Sequence, residues 1–446
     1  MHVVAGFSPR SLHCRPCSAD NTKKVYSAAG MYFIYTLILT LGLVVTFPYY
    51  LTRFRKYLPT LPDRFGFLKL PQLHGAIWVH AVSVGEVKAV ERLLERLRQQ
   101  FPGKSLVVST ATPAGQEIAR ERRDIIDHTF YFPIDLPPCV RRAIDRLDPE
   151  MIIIAETEIW PNFLRVCRRK QIPVVMINGR VSDKSFARYR LARRWLRRVF
   201  ADYTLMGMQS ETDRKRIEAI GADPQKVTVF GNLKYDFVTA TRPVEKTLAG
   251  LVQGWNNVWI AASTMPGEEE LVLQAFGELR KAYTDLKLVV APRHAARFDE
   301  VEALIKRSGV PVLRRTRLGP SPEGEVLLLD TIGELAGLFQ YATVVFMGGS
   351  LVAKGGHNIL EPARYRKPIV FGPHMQNFRD MARLFLDAKG AIQIQSATEL
   401  APAIAKILAH PDAAAELGRN AAAVVEHNAG ATDRVLSFFQ PFEARR

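Results

Sequence analysis

From residue 76 onward the chain alternates short apolar runs with amphipathic stretches. The runs at 76–81 (AIWVHA), 105–110, 151–155 (MIIIA) and 173–177 lack polar alternation, which suits strands covered on both faces. The stretches at 86–101 (EVKAVERLLERLRQQF), 114–123 and 161–170 repeat their apolar positions at helical spacing. Strand alternating with helix predicts a parallel sheet built from right-handed crossovers. The pattern lapses over 237–257 and then restarts. Strands are expected at 258–262, 286–291, 326–329, 344–347 and 368–371, with helices at 267–283, 299–308 and the alanine-rich 413–424. The expectation is an α/β chain of two similar domains with a boundary near residue 240. Ligands of such sheets lie beyond the carboxyl ends of the strands, and two facing sheets make a cleft.

A different pattern precedes them. Residues 25–52 hold no charge, a run of 28, and 31–47 reads MYFIYTLILTLGLVVTF. As a helix the whole run would reach ~40 Å, beyond the ~30 Å hydrocarbon core. Gly42 and Pro48 interrupt it, and Tyr32, Tyr35, Tyr49 and Tyr50 flank it as interfacial anchors do. Arg53, Arg55 and Lys56 follow, which puts the C-terminal side in the cytoplasm. No small-residue cleavage pattern follows Phe47, so a signal peptide is disfavoured against a spanning or interfacial anchor. Met31 directly precedes the apolar part, so residues 1–30 read as an upstream extension, and its Cys14-x-x-Cys17 pair has no second pair at zinc-site spacing.

Composition narrows the class. The 446 residues suggest two or three domains, and 48% hydrophobic with 24% charged residues excludes disordered and fibrous chains. Four scattered cysteines fit a reducing compartment. The net charge of +17 asks for an anionic partner. Residues 164–200 hold 12 Lys or Arg against one acid, Asp183. Within them KSFARYRLARRWLRRVF places Phe186, Tyr189, Trp195, Leu196, Val199 and Phe200 near one helical stripe, with arginines elsewhere. That stripe suits an anionic membrane surface or a solvated helix packed on a core. No nucleic-acid motif accompanies the charge, so a nucleic-acid partner is not expected.

Chemistry-bearing residues cluster at strand ends. HAVSVGE (80–86) ends a strand and opens a helix at Glu86, a carboxylate fit for a general base or for complementing a helix N-terminus. Ser83 and Gly85 suit the turn. AETEIWPN (155–162) places Glu156 and Glu158 after an apolar strand, as a polar site or as caps, with Pro161 opening the next helix. GNLKYD (231–236) closes the first domain with Lys234, which can neutralise a phosphate or carboxylate or stand as a surface lysine. In the second domain STMPGEEE (263–270), APRH (291–294), DTIGEL (330–335) and MGGSLVAKGGHNILEPA (347–363) follow successive strands. Glycines there let backbone N–H groups approach a phosphate, Arg293 adds a cation, and Glu361 is placed to bond ribose hydroxyls. Together they suit a nucleotide-linked ligand. Walker A, GxGxxG, HExxH and DxD patterns are lacking, so neither a metal nor a redox dinucleotide is indicated.

In order and spacing, from Met31 to the C-terminus, these motifs resemble the 3-deoxy-D-manno-octulosonic acid (Kdo) transferases of lipid A assembly. The resemblance implies a GT-B fold, two Rossmann-like domains facing a cleft, after an N-terminal membrane-anchor helix. The corresponding divisions are 1–30 extension, 31–55 anchor, 56–240 acceptor domain and 241–446 CMP-sugar domain. It implies transfer of Kdo from CMP-Kdo to the non-reducing glucosamine of a tetra-acylated lipid A precursor, at the cytoplasmic face of the inner membrane, without metal or other cofactor. By motif, Glu86 would be the general base, and Glu156 and Lys234 would stabilise the transition state. CMP would lie against Pro292, Arg293, Ile332, Gly333, Glu334, Asn358, Ile359, Leu360 and Glu361. Residues 1–30 have no counterpart in the pattern, and Met265 stands where relatives often carry histidine, so it is outside the expected site. The rivals are another GT-B nucleotide-sugar enzyme (a UDP-sugar transferase or epimerase) and a membrane-tethered nucleic-acid-binding factor.

Overall fold

The computed structural model describes residues 22–443 apart from 54, 237–243, 320 and 321. The chain falls into two compact units, residues up to 237 together with 429–446, and 238–428.

The first unit is built on seven parallel strands: β1 Ala76–His80, β2 Leu106–Thr110, β3 His128–Tyr131, β4 Pro149–Ala155, β5 Val174–Gly179, β6 Leu205–Met208 and β7 Val227–Val229. Their order is β3-β2-β1-β4-β5-β6-β7. Trp78 sits opposite Val107 on one side and Ile152 on the other. Successive side chains point to opposite faces, and both faces are covered. Trp78, Ile152 and Ile154 pack with Phe163 and Phe200, while Ile77, Val79 and Ile153 pack with Val90, Leu94 and Leu97 of the helix Val84–Gln100. The fully buried Trp78 indole donates to Ser109 Oγ at 2.7 Å, so its one polar atom is satisfied.

The C-terminal helix Ala431–Glu443 belongs to this unit and not to the second, where the division at 241–446 had put it. Val435, Leu436 and Phe439 complete the same apolar cluster as Leu94, and the Asp236 carboxylate accepts the Gly430 and Thr432 N–H groups at the helix start. The basic segment forms two helices, Asp183–Leu191 and Arg193–Phe200, where a continuous one was expected. Leu196, Val199 and Phe200 are buried in the core, and Leu191 is 91% exposed.

The uncharged run lies in a helix, Thr22–Arg53, which starts nine residues ahead of the expected anchor. The other part of the N-terminal extension, residues 1–21 with Cys14 and Cys17, lies outside the described residues. The helix docks through a polar stripe. Tyr32 donates to Asp202 at 2.8 Å, Tyr35 to Asp135 at 3.0 Å, and the Asn162 amide to the Thr36 hydroxyl at 2.9 Å. Phe33, Ile34, Ile38, Leu41, Val44 and Val45 are exposed on the same helix. Among the described residues no helix is long and apolar enough to cross a membrane.

The second unit repeats the architecture with β8 Asn257–Thr264, β9 Leu286–Pro292, β10 Val312–Arg314, β11 Val326–Leu328, β12 Val344–Met347, β13 Ile369–Phe371 and β14 Ile392–Gln393. All pairs are parallel, in the order β10-β11-β9-β8-β12-β13-β14. Trp259, Leu288, Val290, Phe346 and Val370 form its core with Phe276 of the helix Glu268–Leu279.

Candidate functional site

In the first sheet the strand order reverses between β1 and β4, and open parallel sheets carry their ligands at that point, beyond the carboxyl ends. The loops leaving these two strands bear the three glutamates. Ser83 is the N-cap of Val84–Gln100, so the helix starts two residues before Glu86 and Glu86 occupies its third position. There its side chain folds back over the helix start. The Val82 N–H donates to Oε2 at 2.8 Å and the Ser83 hydroxyl to Oε1 at 3.1 Å. This is not a capping box, because the Ser83 hydroxyl is turned to the carboxylate and the N–H that Glu86 accepts belongs to Val82, the residue before the N-cap. Burial pushes the Glu86 carboxyl up to about 7, and the Glu156 charge adds to that. The Val82 and Ser83 bonds and the Lys234 ammonium oppose the rise without cancelling it. A carboxylic acid poised near neutrality is tuned for general-base work.

Glu156 follows β4 with φ of 60°, a left-handed conformation unfavourable for a residue with a Cβ. Its N–H donates to the Ile177 carbonyl of β5 at 2.8 Å, and its Oε1 lies 3.5 Å from Lys234 Nζ. The Lys234 turn thus brings a cation to the β4 carboxylate, and both charges act on Glu86. Glu158 joins them, though the motif-based site omitted it. Burial, then the Glu86 and Glu156 charges, push its carboxyl up to about 7. Its spacing from Glu156 in AETEIWPN was the available signal. Asn232 lies inside the GNLKYD motif, whereas Asn178 and Gln209, which also surround the Lys234 turn, carried no signal.

In the second sheet the order reverses between β8 and β12. The three expected CMP-contacting segments all stand at carboxyl ends, following β9, β11 and β12. Pro292 ends β9, and Arg293 is exposed with its N–H on the Thr264 carbonyl at 3.0 Å. Ile332 is 77% exposed, and Gly333 turns at φ of 95°. The Glu334 carboxylate is gripped by Arg315, at 3.0 Å from Nε and 2.8 Å from Nη2. Asn358 accepts the Leu360 N–H at 3.1 Å and donates to Glu361 at 3.4 Å, while Ile359 and Leu360 are buried. Burial, with the charges of Arg293 and His294, pushes the His357 imidazole down to about 4.

One expectation is corrected. The glycine-rich turn after β12 was read as a phosphate nest, but its N–H groups already have an anion. Glu268, fully buried, accepts from Met265 and Gly349 on Oε2 at 3.0 and 2.6 Å, and from Ser350 and Leu351 on Oε1 at 3.0 and 2.9 Å. A side chain of the helix after β8 therefore occupies the position where a ligand phosphate was expected. Among the described residues no group of three or more His, Cys, Asp or Glu is arranged to hold a metal ion.

Comparison with known proteins gives the family. The profile of the family described as 3-Deoxy-D-manno-octulosonic-acid transferase (kdotransferase) matches residues 60–237. The 3-deoxy-D-manno-octulosonic acid transferase of Haemophilus influenzae is 34% identical over 87% of this chain and 93% of its own. That of Bordetella pertussis is 31% identical over 84% and 90%. A solved UDP-N-acetylglucosamine 2-epimerase covers 84% of this chain and 97% of its own at a TM-score of 0.55, and at 13% identity the likeness is one of fold, a GT-B-like one. With identity above 30% across most of both chains, this chain belongs to the 3-deoxy-D-manno-octulosonic acid transferases and is a glycosyltransferase.

Proposed function

We propose that the chain transfers Kdo from CMP-Kdo to the non-reducing glucosamine of a tetra-acylated lipid A precursor, with Glu86 as the general base. The observation that carries this is the Glu86 carboxyl, pushed up to about 7 and electrostatically coupled to the Glu156–Lys234 pair at the strand-order reversal. As the acceptor hydroxyl oxygen attacks the anomeric carbon of Kdo, its proton passes to the Glu86 carboxylate. The bond from that carbon to the CMP phosphate oxygen breaks, and CMP leaves with the electron pair. The Lys234 ammonium, oriented by Glu156, stabilises the charge that develops. CMP is a good leaving group, so neither a metal nor a dedicated acid is required. Pro292 and Arg293, Ile332 to Glu334, and Asn358 to Glu361 hold the nucleotide. Arg293 supplies a fixed cation, and Asn358 and Glu361 supply polar atoms for the ribose.

The same reading puts the chain at the cytoplasmic face of the inner membrane. The exposed apolar side of the Thr22–Arg53 helix and the arginines of 164–200 support an interfacial anchor on anionic lipid rather than a crossing. The deciding experiment incubates the protein with tetra-acyl lipid A precursor and freshly generated CMP-Kdo, read by mass spectrometry. Kdo adducts establish the activity and count the residues added. Their absence, with active donor and folded protein, refutes the assignment of donor or acceptor. Glu86→Ala should lose turnover while still binding CMP.

A further inference from the structure

Lys234 is a long, half-exposed side chain on a short turn, so its usefulness depends on how firmly its backbone is held. Three amide side chains from three segments hold it. Asn178, at the end of β5, accepts the Leu233 N–H on Oδ1 at 3.1 Å. The Asn178 carbonyl accepts from Gln209 Nε2 at 3.0 Å. Gln209 Oε1 accepts from Asn232 Nδ2 at 3.2 Å, and Asn232 Oδ1 accepts the Lys234 N–H at 3.0 Å. The bonds close a ring that begins and ends on adjacent residues, Leu233 and Lys234. The Ile177 carbonyl, one residue before Asn178, takes the Glu156 N–H, so the ring is tied to the other half of the ion pair.

Asn178 is an expensive residue to keep here. It is 1% exposed, its backbone is left-handed at φ of 55°, and its Nδ2 has no hydrogen-bond partner among the described residues. A buried orphan donor costs stability that an apolar side chain would not. The Oδ1 acceptor and the tolerance of asparagine for a left-handed backbone are what the position uses. We propose that Asn178, Gln209 and Asn232 are positioning residues of the transfer reaction, a ring of amides that sets Lys234 against Glu156. This rests on the reading of Lys234 as the group that stabilises the transition state.

The test compares five variants of the full chain with wild type. Asn178→Gly keeps the backbone conformation and removes the acceptor. Gln209→Met keeps the volume and breaks the ring. Asn232→Ala removes the turn acceptor and the donor to Gln209, and Asn232→Asp restores the acceptor alone. Lys234→Ala is the control on the underlying reading. Misplacement of a charge by about 1 Å is enough for Gln209→Met, Asn178→Gly and Asn232→Ala to lower kcat roughly 10- to 100-fold. KM for CMP-Kdo should stay within about twofold, because no ring member is in the unit that holds the nucleotide. The pH midpoint of kcat should rise, since Lys234 no longer holds down the Glu86 carboxyl, and Asn232→Asp, which regains the acceptor but not the bond to Gln209, should recover only part of the turnover lost in Asn232→Ala. A merely structural role moves neither the midpoint nor the rescue. Folded Gln209→Met with kcat within twofold of wild type and an unmoved midpoint overturns the inference, and it decides the matter even where Asn178→Gly fails to fold. Lys234→Ala inactive beside fully active ring variants refutes the positioning role alone. Lys234→Ala at full turnover refutes the reading of Lys234 and the inference together.

Discussion

Turnover should depend on pH through Glu86, and the size of the effect follows from its surroundings. A carboxyl raised to about 7 is roughly one-tenth ionised at pH 6 and roughly nine-tenths at pH 8. If the ionised form is the base, the rate rises about tenfold across that interval. The acceptor confounds a simple profile, because a sugar phosphate monoester has its second ionisation near ~6. A second arm removes the ambiguity. Glu156→Gln deletes the negative neighbour that raises Glu86, so the enzyme's midpoint should move to lower pH while the substrate's ionisation stays in place. Glu86→Gln should remove the rising limb and leave only a slow residual rate. The assay is the initial rate of Kdo adduct formation by mass spectrometry at pH 5.5 to 8.5, at constant ionic strength. A flat profile between about pH 6 and 8, or a midpoint that Glu156→Gln leaves unmoved, refutes the reasoning.

The same carboxyl makes stability fall with pH. An ordinary glutamate loses its proton near 4.5 and folded Glu86 near 7, so between them the folded chain holds more protons. The difference is ~3 kcal/mol, present below pH 4.5 and lost as pH rises through 7, and Glu86→Gln should flatten it in urea unfolding midpoints at acid and alkaline pH. Glu268→Gln should destabilise the second unit, by about 1–3 kcal/mol for each N–H it leaves unpaired. Thermal unfolding should show the loss together with weaker CMP binding, and an unchanged transition would contradict the assigned role. Ile38→Asp, on the exposed side of the N-terminal helix, should release the protein from anionic vesicles in co-sedimentation while turnover on detergent-dispersed acceptor persists. Arg315→Ala should free the Glu334 carboxylate and lower CMP affinity measured by calorimetry, with little effect on the Glu86 profile.

Much of the architecture was legible because the central strands are uninterrupted apolar runs. AIWVH and MIIIA admit few readings other than strands buried on both faces. The strands that escaped notice are short or lie toward the edges. β3 reads HTFY and is only half buried along its length, and β14 has two residues. The basic segment looked like one helix because its apolar stripe is continuous in sequence, but Ala192 turns between two helices that share one core. The C-terminal helix was assigned by adjacency to the second domain. It belongs to the first because Asp236, nearly 200 residues earlier, receives its N–H groups and Phe439 joins the apolar cluster of Leu94, farther still in sequence.

The site shows where local reading stops. Each glutamate could be found from its motif, since strand ends in parallel sheets are where ligands bind. The ionisation of Glu86 could not, because it depends on groups from three separate stretches of chain. Val82 and Ser83 hold it, Glu156 repels it, and Lys234 draws it down. Read singly, each of those residues had a plain alternative, a cap for the acids and a solvated surface for the lysine. The fold brings the charges of Glu156 and Lys234 together beside Glu86. The second unit makes the opposite point. Glycines at a strand end looked ready for a phosphate, and their N–H groups are closed by Glu268, some 80 residues earlier in the chain. An anion-binding turn identified by sequence is therefore a statement about what the backbone can hold. Whether the anion comes from a ligand or from the protein is decided by which helix the fold lays against it.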